Sequence, residues 1–375
     1  MKIFNKILEL REDKSTLILK ETKNRYGVLA CERDGSTTAY YFTAPIYRND
    51  GKTAEVSFSY KNGAAVMQGS GAKLSARGCI VEMENGEGVC RLTLPYGIDN
   101  VSEEVLSCGT DKILPTTNGI LYVGKLKNGE SLELVMEAPK RFFNVRSNEK
   151  CVALMAERFK PYVSVSAIGT VNESGKVVAP AVIKWKSISG GKYLISISSA
   201  LDNGEFVMFE CNLYAPKLFQ DTTVESNNPS VNNAFGSSAF IGRTELFGEQ
   251  WLYMRPAEKI FKDLKDKSIK SVAVHFPVLG RCEVPIDVFG IERRFCSFGS
   301  NWENKVRPRE MVCRSERKGN YISVDITKML TENGKLKATQ GFILKSAEKS
   351  DGFTVIPTAD NYFSLPVFEI NFTDD

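Results

Sequence analysis

Apolar and polar positions alternate with a period of two along most of the chain. Leu132, Leu134 and Met136 flank Glu133 and Val135. Tyr193, Ile195 and Ile197 flank Leu194 and Ser196, and Val56, Phe58 and Tyr60 flank Ser57 and Ser59. This spacing puts one set of side chains on a core and the other toward solvent, as on a sandwich strand. Asn-Gly pairs punctuate the pattern at 62–63, 85–86, 128–129, 203–204 and 333–334. Asn-Gly suits a tight hairpin because a type I′ turn requires positive φ at both central residues. Three hairpins are predicted: 119–126 with 130–137 across Lys127-Asn128-Gly129, 79–84 with 89–94 across Asn85-Gly86, and 193–199 with 205–211 across Asp202-Asn203-Gly204.

Helical periodicity is confined to short pieces. The stretch 256–264 has Pro256 at a first helical position with Ile260, Phe261 and Leu264 on one side. A single turn follows Asp325, whose carboxylate is placed to accept a backbone N–H. Residues 2–10 fit a short helix or an edge strand. The fold class is therefore all-β, with few short helices. At 375 residues, the chain is too long for one ordinary core. Two or three β-sandwich domains are expected: an N-terminal β-rich domain at 1–139, a β-rich connecting domain at 140–220, and a jelly-roll-like sandwich at 221–375.

Composition narrows the partners. Forty-nine basic residues against 45 acidic ones give a net charge of +4, too balanced for a dedicated nucleic-acid binder. The first residues meet Glu9, Arg11, Glu12 and Asp13 at once, so no signal peptide is expected. No run approaches the roughly 20 apolar residues that span a bilayer. The protein is expected to be made in the cytoplasm, without membrane insertion. Nine cysteines, at 31, 79, 90, 108, 151, 211, 282, 296 and 313, include no C-x-x-C pair, and His275 is the only histidine. Reduced, mostly buried thiols are one reading; intermolecular bridges drawn from Cys31, Cys79, Cys108, Cys282, Cys296 or Cys313 are the other. No metal and no cofactor is expected.

Asp221-Thr222-Thr223-Val224 opens a strand, and an Asn-rich turn with Asn227, Asn228, Asn232 and Asn233 follows. Further on come Trp302-Glu303 with Val306 and Pro308, then Asp325-Ile326-Thr327, the strand 341–345, and Asp360-Asn361-Tyr362-Phe363 with Pro366. In order and spacing these resemble the DNRLRE (disaggregatase-related) domain, a jelly-roll-like sandwich of bacterial and archaeal surface proteins. Upstream, 161–167, 193–197 and Tyr214-Ala215-Pro216 are similar to the segment preceding such domains in Rhs-type and wall-associated proteins. Lys217-Leu218-Phe219 departs from the acidic residue usual there, and the long repeat arrays are absent. The resemblance implies a surface or particle context, and some members bind uronic-acid polymers.

Candidate chemistry is sparse. In 272–276, Val272, Val274 and Phe276 form an inward set, so His275 should face solvent or a domain contact. No P-loop, Gly-rich dinucleotide fingerprint or H-E-x-x-H motif occurs, and no catalytic residue is assigned. Asn49-Asp50-Gly51 reads as a turn. The stretch 292–318 interleaves arginines with aromatics. Guanidinium forks pair with carboxylates, and aromatic faces stack on sugar rings. Arg293, Arg294, Trp302, Arg307 and Arg309 are thus candidate contacts for an anionic polysaccharide. Against this, Glu292, Glu303, Glu310 and Glu316 offset the charge, and Trp302 also suits a core anchor. The expected function is a non-catalytic structural or assembly protein of a phage-like tail, spore layer or cell surface. Its partners would be itself or other particle proteins, and the alternative is a carbohydrate-binding module.

Overall fold

Strands cover most of the chain and gather into four large antiparallel sheets. The structure is a computed structural model that describes residues 3–11, 18–22, 24–48, 50–53, 56–126, 131–139, 144–158, 160–200, 205–347 and 351–374. Sheet I runs, edge to edge, through Ala181–Ser189, Lys192–Ser199, Leu132–Glu137, Gly88–Thr93, Ile80–Asn85, Lys73–Arg77, Ala64–Gln68 and Ser59–Lys61. Sheet II runs through Asn144–Ser147, Cys151–Glu157, Lys160–Val171, Phe206–Leu213, Gly119–Lys125, Asp111–Pro115, Leu106–Cys108 and Asn100–Val101, with Val177–Ala179 beside Lys160–Val171. Their inner faces close one core, in which Met83, Leu92, Leu134 and Ile195 of sheet I meet Ile120, Tyr122, Val165 and Phe209 of sheet II.

The second sandwich has jelly-roll strand order. Sheet IV places Thr37–Phe42, Val367–Asp374, Lys267–Pro277 and Tyr321–Asp325 side by side, flanked by Ile18–Glu21 with Gly27–Cys31 and by Glu316–Lys318. Sheet III places Gly248–Pro256, Phe342–Ser346, Ile286–Ile291 and Pro308–Arg314 side by side, extended by Ser238–Thr244, Phe353–Pro357 and Phe219–Glu225. Counting these eight core strands along the chain gives orders 1-8-3-6 and 2-7-4-5, the two interleaved Greek keys of a jelly roll. Leu252, Leu344 and Val288 pack against Val272, Val274 and Phe368 between the sheets.

The sandwiches also pack on each other. Leu121, Ile168 and Val171 on the back of sheet II meet Phe240, Phe353 and Val355 on the back of sheet III. The order of layers is therefore I, II, III, IV. Over the far face of sheet IV lies the helix Ile3–Leu10, with Ile7 and Leu10 against Val28, Tyr40 and Phe42, so the ambiguous start of the chain is helical.

Strand pairing crosses both expected domain limits. Thr37–Phe42 pairs with Val367–Asp374, and Gly119–Lys125 pairs with Phe206–Leu213. The jelly roll thus takes its first strand from the N-terminal stretch, and the whole first sandwich is inserted between that strand and the rest. Two predicted hairpins are corrected as well. Gly119–Lys125 and Leu132–Glu137 are both strands, yet they lie in opposite sheets, as do Lys192–Ser199 and Phe206–Leu213. Alternation alone marks a half-buried strand; it is equally satisfied by a neighbour across the core and by one beside it. The turns at 127–129 and 202–204 lie outside the described residues.

The hairpin at 85–86 forms, with Asn85 opposite Gly88. The Asn-Gly pairs at 62–63 and 333–334 take the expected left-handed geometry, φ 52° and 77° at Asn62 and Gly63, 50° and 72° at Asn333 and Gly334. Tyr60 is the exception to its alternating run, being 66% exposed on the edge strand. The second helix is Glu258–Asp263, so Pro256 closes a strand and does not start the helix. Thr327–Leu330 forms the third, and Thr327 N–H donates to Asp325 Oδ1 at 2.9 Å.

Candidate functional site

Of the five residues expected to hold polysaccharide, the structure gathers only some. The loop after Ile286–Ile291 folds back over sheet III, burying Phe295 and Val306 against Trp251 and Tyr253. Trp302 packs there too, its ring centroid 5.1 Å from that of Trp251, and Lys305 Nζ sits 4.0 Å over it. A ring already holding a neighbouring indole and a cation is an anchor first. Arg294 reaches back to Glu258 at 3.1 Å, while Arg293 and Arg307 point outward from the same loop.

Arg309 has different company. It lines a groove of about 420 Å³ with Lys328 and Lys337, over a lining that includes Ile291, Met329 and Gln340. The groove forms where strand Pro308–Arg314 of sheet III meets the helical turn Thr327–Leu330. Glu310 is its only carboxylate, so two positive charges remain uncompensated among the lining residues. Lys328 and Lys337 carry no local motif, and only the jelly-roll connection brings them to Arg309.

The strongly perturbed groups lie elsewhere, in the joint between the sandwiches. Glu210, on sheet II, accepts N–H bonds from Phe363 at 2.8 Å, Tyr362 at 3.2 Å and Asn212 Nδ2 at 3.0 Å. Lys6, from the first helix, donates to the carbonyl of Phe363 at 3.3 Å. Lys217 bridges Asp221 and Asp360, and Lys150 of the first sandwich meets Glu225 of the second at 2.7 Å, both fully buried. The turn at 358–364 ties much of this together: Asn361 Nδ2 donates to the Ser237 carbonyl, and Thr117 Oγ1 donates to the Tyr362 carbonyl. Burial pushes the Glu210 carboxyl up to about 8 and pulls the Lys6 ammonium down to about 7. Against the penalty of burial, the carboxylates of Asp360 and Asp221 hold Lys217 above its ordinary value. Local sequence shows only the Lys217–Asp221 spacing; every other partner is distant.

These shifts set a pH dependence with opposing arms. From about 4.5 to about 8 the folded state keeps a proton on Glu210 that the unfolded chain releases, so stability falls as pH rises. From about 7 to 10.5 the unfolded chain holds a proton that buried Lys6 has lost, so stability rises. Asp360 and Asp221, also raised by burial, add to the falling arm, so Glu210→Gln is expected to make it shallower while leaving the rising one. Urea unfolding across this pH range measures it, and an unchanged slope below pH 7 would refute the assignment.

His275 faces away from the core as expected, but it is buried. Its Nδ1 lies 2.7 Å from Ser323 Oγ and its Nε2 3.3 Å from Glu369, on the two neighbouring strands. The cysteines are all unpaired: Cys90, Cys108, Cys151 and Cys211 are buried, and Cys31, Cys79, Cys282 and Cys296 are exposed. Cys108 is therefore withdrawn as a bridging candidate. Among the described residues no group of three His, Cys, Asp or Glu side chains is arranged to hold a metal ion. Asp50 takes part in a turn, pairing with Arg48 at 2.7 Å and accepting the Lys52 N–H.

Fold and site together define a two-sandwich, all-β protein with a charged joint and a basic groove. No protein-family model matches the chain, and no curated protein matches it either. The likeness to DNRLRE domains rests on the motifs and their order.

Proposed function

We propose that the protein is a non-catalytic structural component of a surface layer or particle, such as a phage-like tail, a spore layer or a cell surface, acting through contacts between sandwich faces. One observation carries this reading. Of the six large apolar side chains exposed among the described residues, Tyr60, Ile80, Val89, Tyr96 and Ile188 belong to the first sandwich, and only Met311 to the second. Apolar exposure concentrated at one end of a molecule marks a contact surface. The perturbed acids and bases support it, because they serve as ties between the sandwiches. Light scattering with electron microscopy of the purified protein tests the reading. Defined oligomers or particles are expected; a monomer that captures no particle or surface protein would refute it.

A second reading, binding of an anionic polysaccharide, is favoured by the convergence of Arg309, Lys328 and Lys337 on one groove. Retardation on alginate gels at low salt, lost in Lys328→Glu/Lys337→Glu, would support it.

A further inference from the structure

The outward face of sheet I carries two cross-strand rows with an unusual symmetry. On the four adjacent strands Ile80–Asn85, Gly88–Thr93, Leu132–Glu137 and Lys192–Ser199, one row reads Glu82, Arg91, Glu137, Lys192, each directly opposite the next. The charges alternate strictly, and Arg91 and Lys192 already contact Glu82 and Glu137 at 2.6 and 3.6 Å. The row beside it reads Ile80, Thr93, Val135, Leu194 in the same register. Ile80 is 41% exposed, and Val135 and Leu194 are partly exposed.

Rotation by half a turn about an axis parallel to the strands, midway between Gly88–Thr93 and Leu132–Glu137, reverses each row without shifting its height. Glu82 of one copy then faces Lys192 of the other, and Arg91 faces Glu137, so every opposed pair has opposite sign. In the neighbouring row Ile80 faces Leu194 and Thr93 faces Val135. A surface that complements itself under a two-fold is what an isologous dimer requires. Arg77 and Lys186, at the ends of the apolar row, would oppose each other, but both are exposed where solvent screens them.

We propose that the outward face of sheet I is the docking surface for a second copy of this chain, packed face to face about that axis. The proposal rests on the assembly reading and names its partner. The six strands that the two-fold sets against one another, from Lys73–Arg77 to Ala181–Ser189, about 4.8 Å apart and some five residues deep, present roughly 490 Å² per partner, at the low end for a specific interface.

Sedimentation equilibrium on the full chain tests it, with three variants. The wild type is expected to dimerise. Arg91→Glu sets like charges against Glu137 across the interface, and dimerisation should weaken by about tenfold or more. Arg91→Glu/Glu137→Arg restores opposite charges across the two-fold and should recover the dimer. Within one sheet each of these two variants leaves two like-charged neighbouring pairs, so the stability of the monomer does not separate them. Val135→Lys, in the apolar row, should also weaken the dimer, with a circular dichroism melt confirming the fold. A monomeric wild type overturns the proposal. Self-association untouched by Arg91→Glu overturns this face while leaving the assembly reading standing, and failure of the double swap to recover what the single lost also overturns it.

Discussion

Lys150→Ala is expected to destabilise the protein by about 3–5 kcal/mol, the cost of leaving a buried charge without its partner. Lys150 and Glu225 meet at 2.7 Å with side chains 3% and 1% exposed, so the pair is held away from bulk water. Lys150 also reaches Thr223 Oγ1 and lies over the Phe247 ring, 4.2 Å from its centroid. Glu225 keeps hydrogen bonds from Gln250 Nε2 and Asn228 Nδ2, both at 3.1 Å, which orient the carboxylate without neutralising it. Removing both charges together, in Lys150→Met/Glu225→Gln, should recover most of the loss, because desolvation and attraction disappear as a pair. Denaturant unfolding of the four proteins closes the cycle. Additive losses would show that the pair does not act as a unit.

Gly280→Ala should cost about 3 kcal/mol, at the upper end for overpacking. The segment 279–281 lies against Val177 of the first sandwich, with Val177 N–H donating to Leu279 O at 3.1 Å and Arg281 N–H to Val177 O at 3.0 Å. A β-carbon on residue 280 would stand 2.0 Å from that same Val177 oxygen and 2.6 Å from its carbonyl carbon and amide nitrogen. No rotamer relieves a clash with backbone, so one of the two bonds must open and the sandwiches must part locally. Gly290→Ala is the control: its β-carbon would come no closer than 3.9 Å, to Arg309 Cβ, and a change within about 1 kcal/mol is expected. Equal midpoints for the two variants in thermal unfolding would overturn the steric argument.

Local signals are legible in the sequence and distant ones are not. The inward sets at Leu132, Leu134, Met136 and at Ile195, Ile197 are buried as their alternation requires, and Asp325 accepts the N–H bond of the turn it precedes. Partner choice lies beyond such signals. Nothing in Thr37–Phe42 announces Val367–Asp374 as its neighbour, because a strand's periodicity specifies its faces and leaves its edges open. The groove follows the same logic. Arg309 is one of four candidate arginines that the stretch 292–318 offers alike, and Lys328 and Lys337 come to it only through the jelly-roll crossing. The joint was invisible for a further reason: Glu210 and Lys6 become unusual only when buried, and burial is decided by the other sandwich.

The insertion of the first sandwich between the opening strand of the jelly roll and its successors has a bearing on how the chain comes together. During synthesis Thr37–Phe42 can pair with Gly27–Cys31 at once, but its other edge must wait until Val367–Asp374 has been made, while the first sandwich inserted between them is free to fold. A fragment starting at Asp221 would keep seven of the eight core strands and leave Val367–Asp374 with a bare hydrogen-bonding edge, a template for sticking to other chains. Excised alone, the region that most resembles an independent module would be the piece most prone to aggregate.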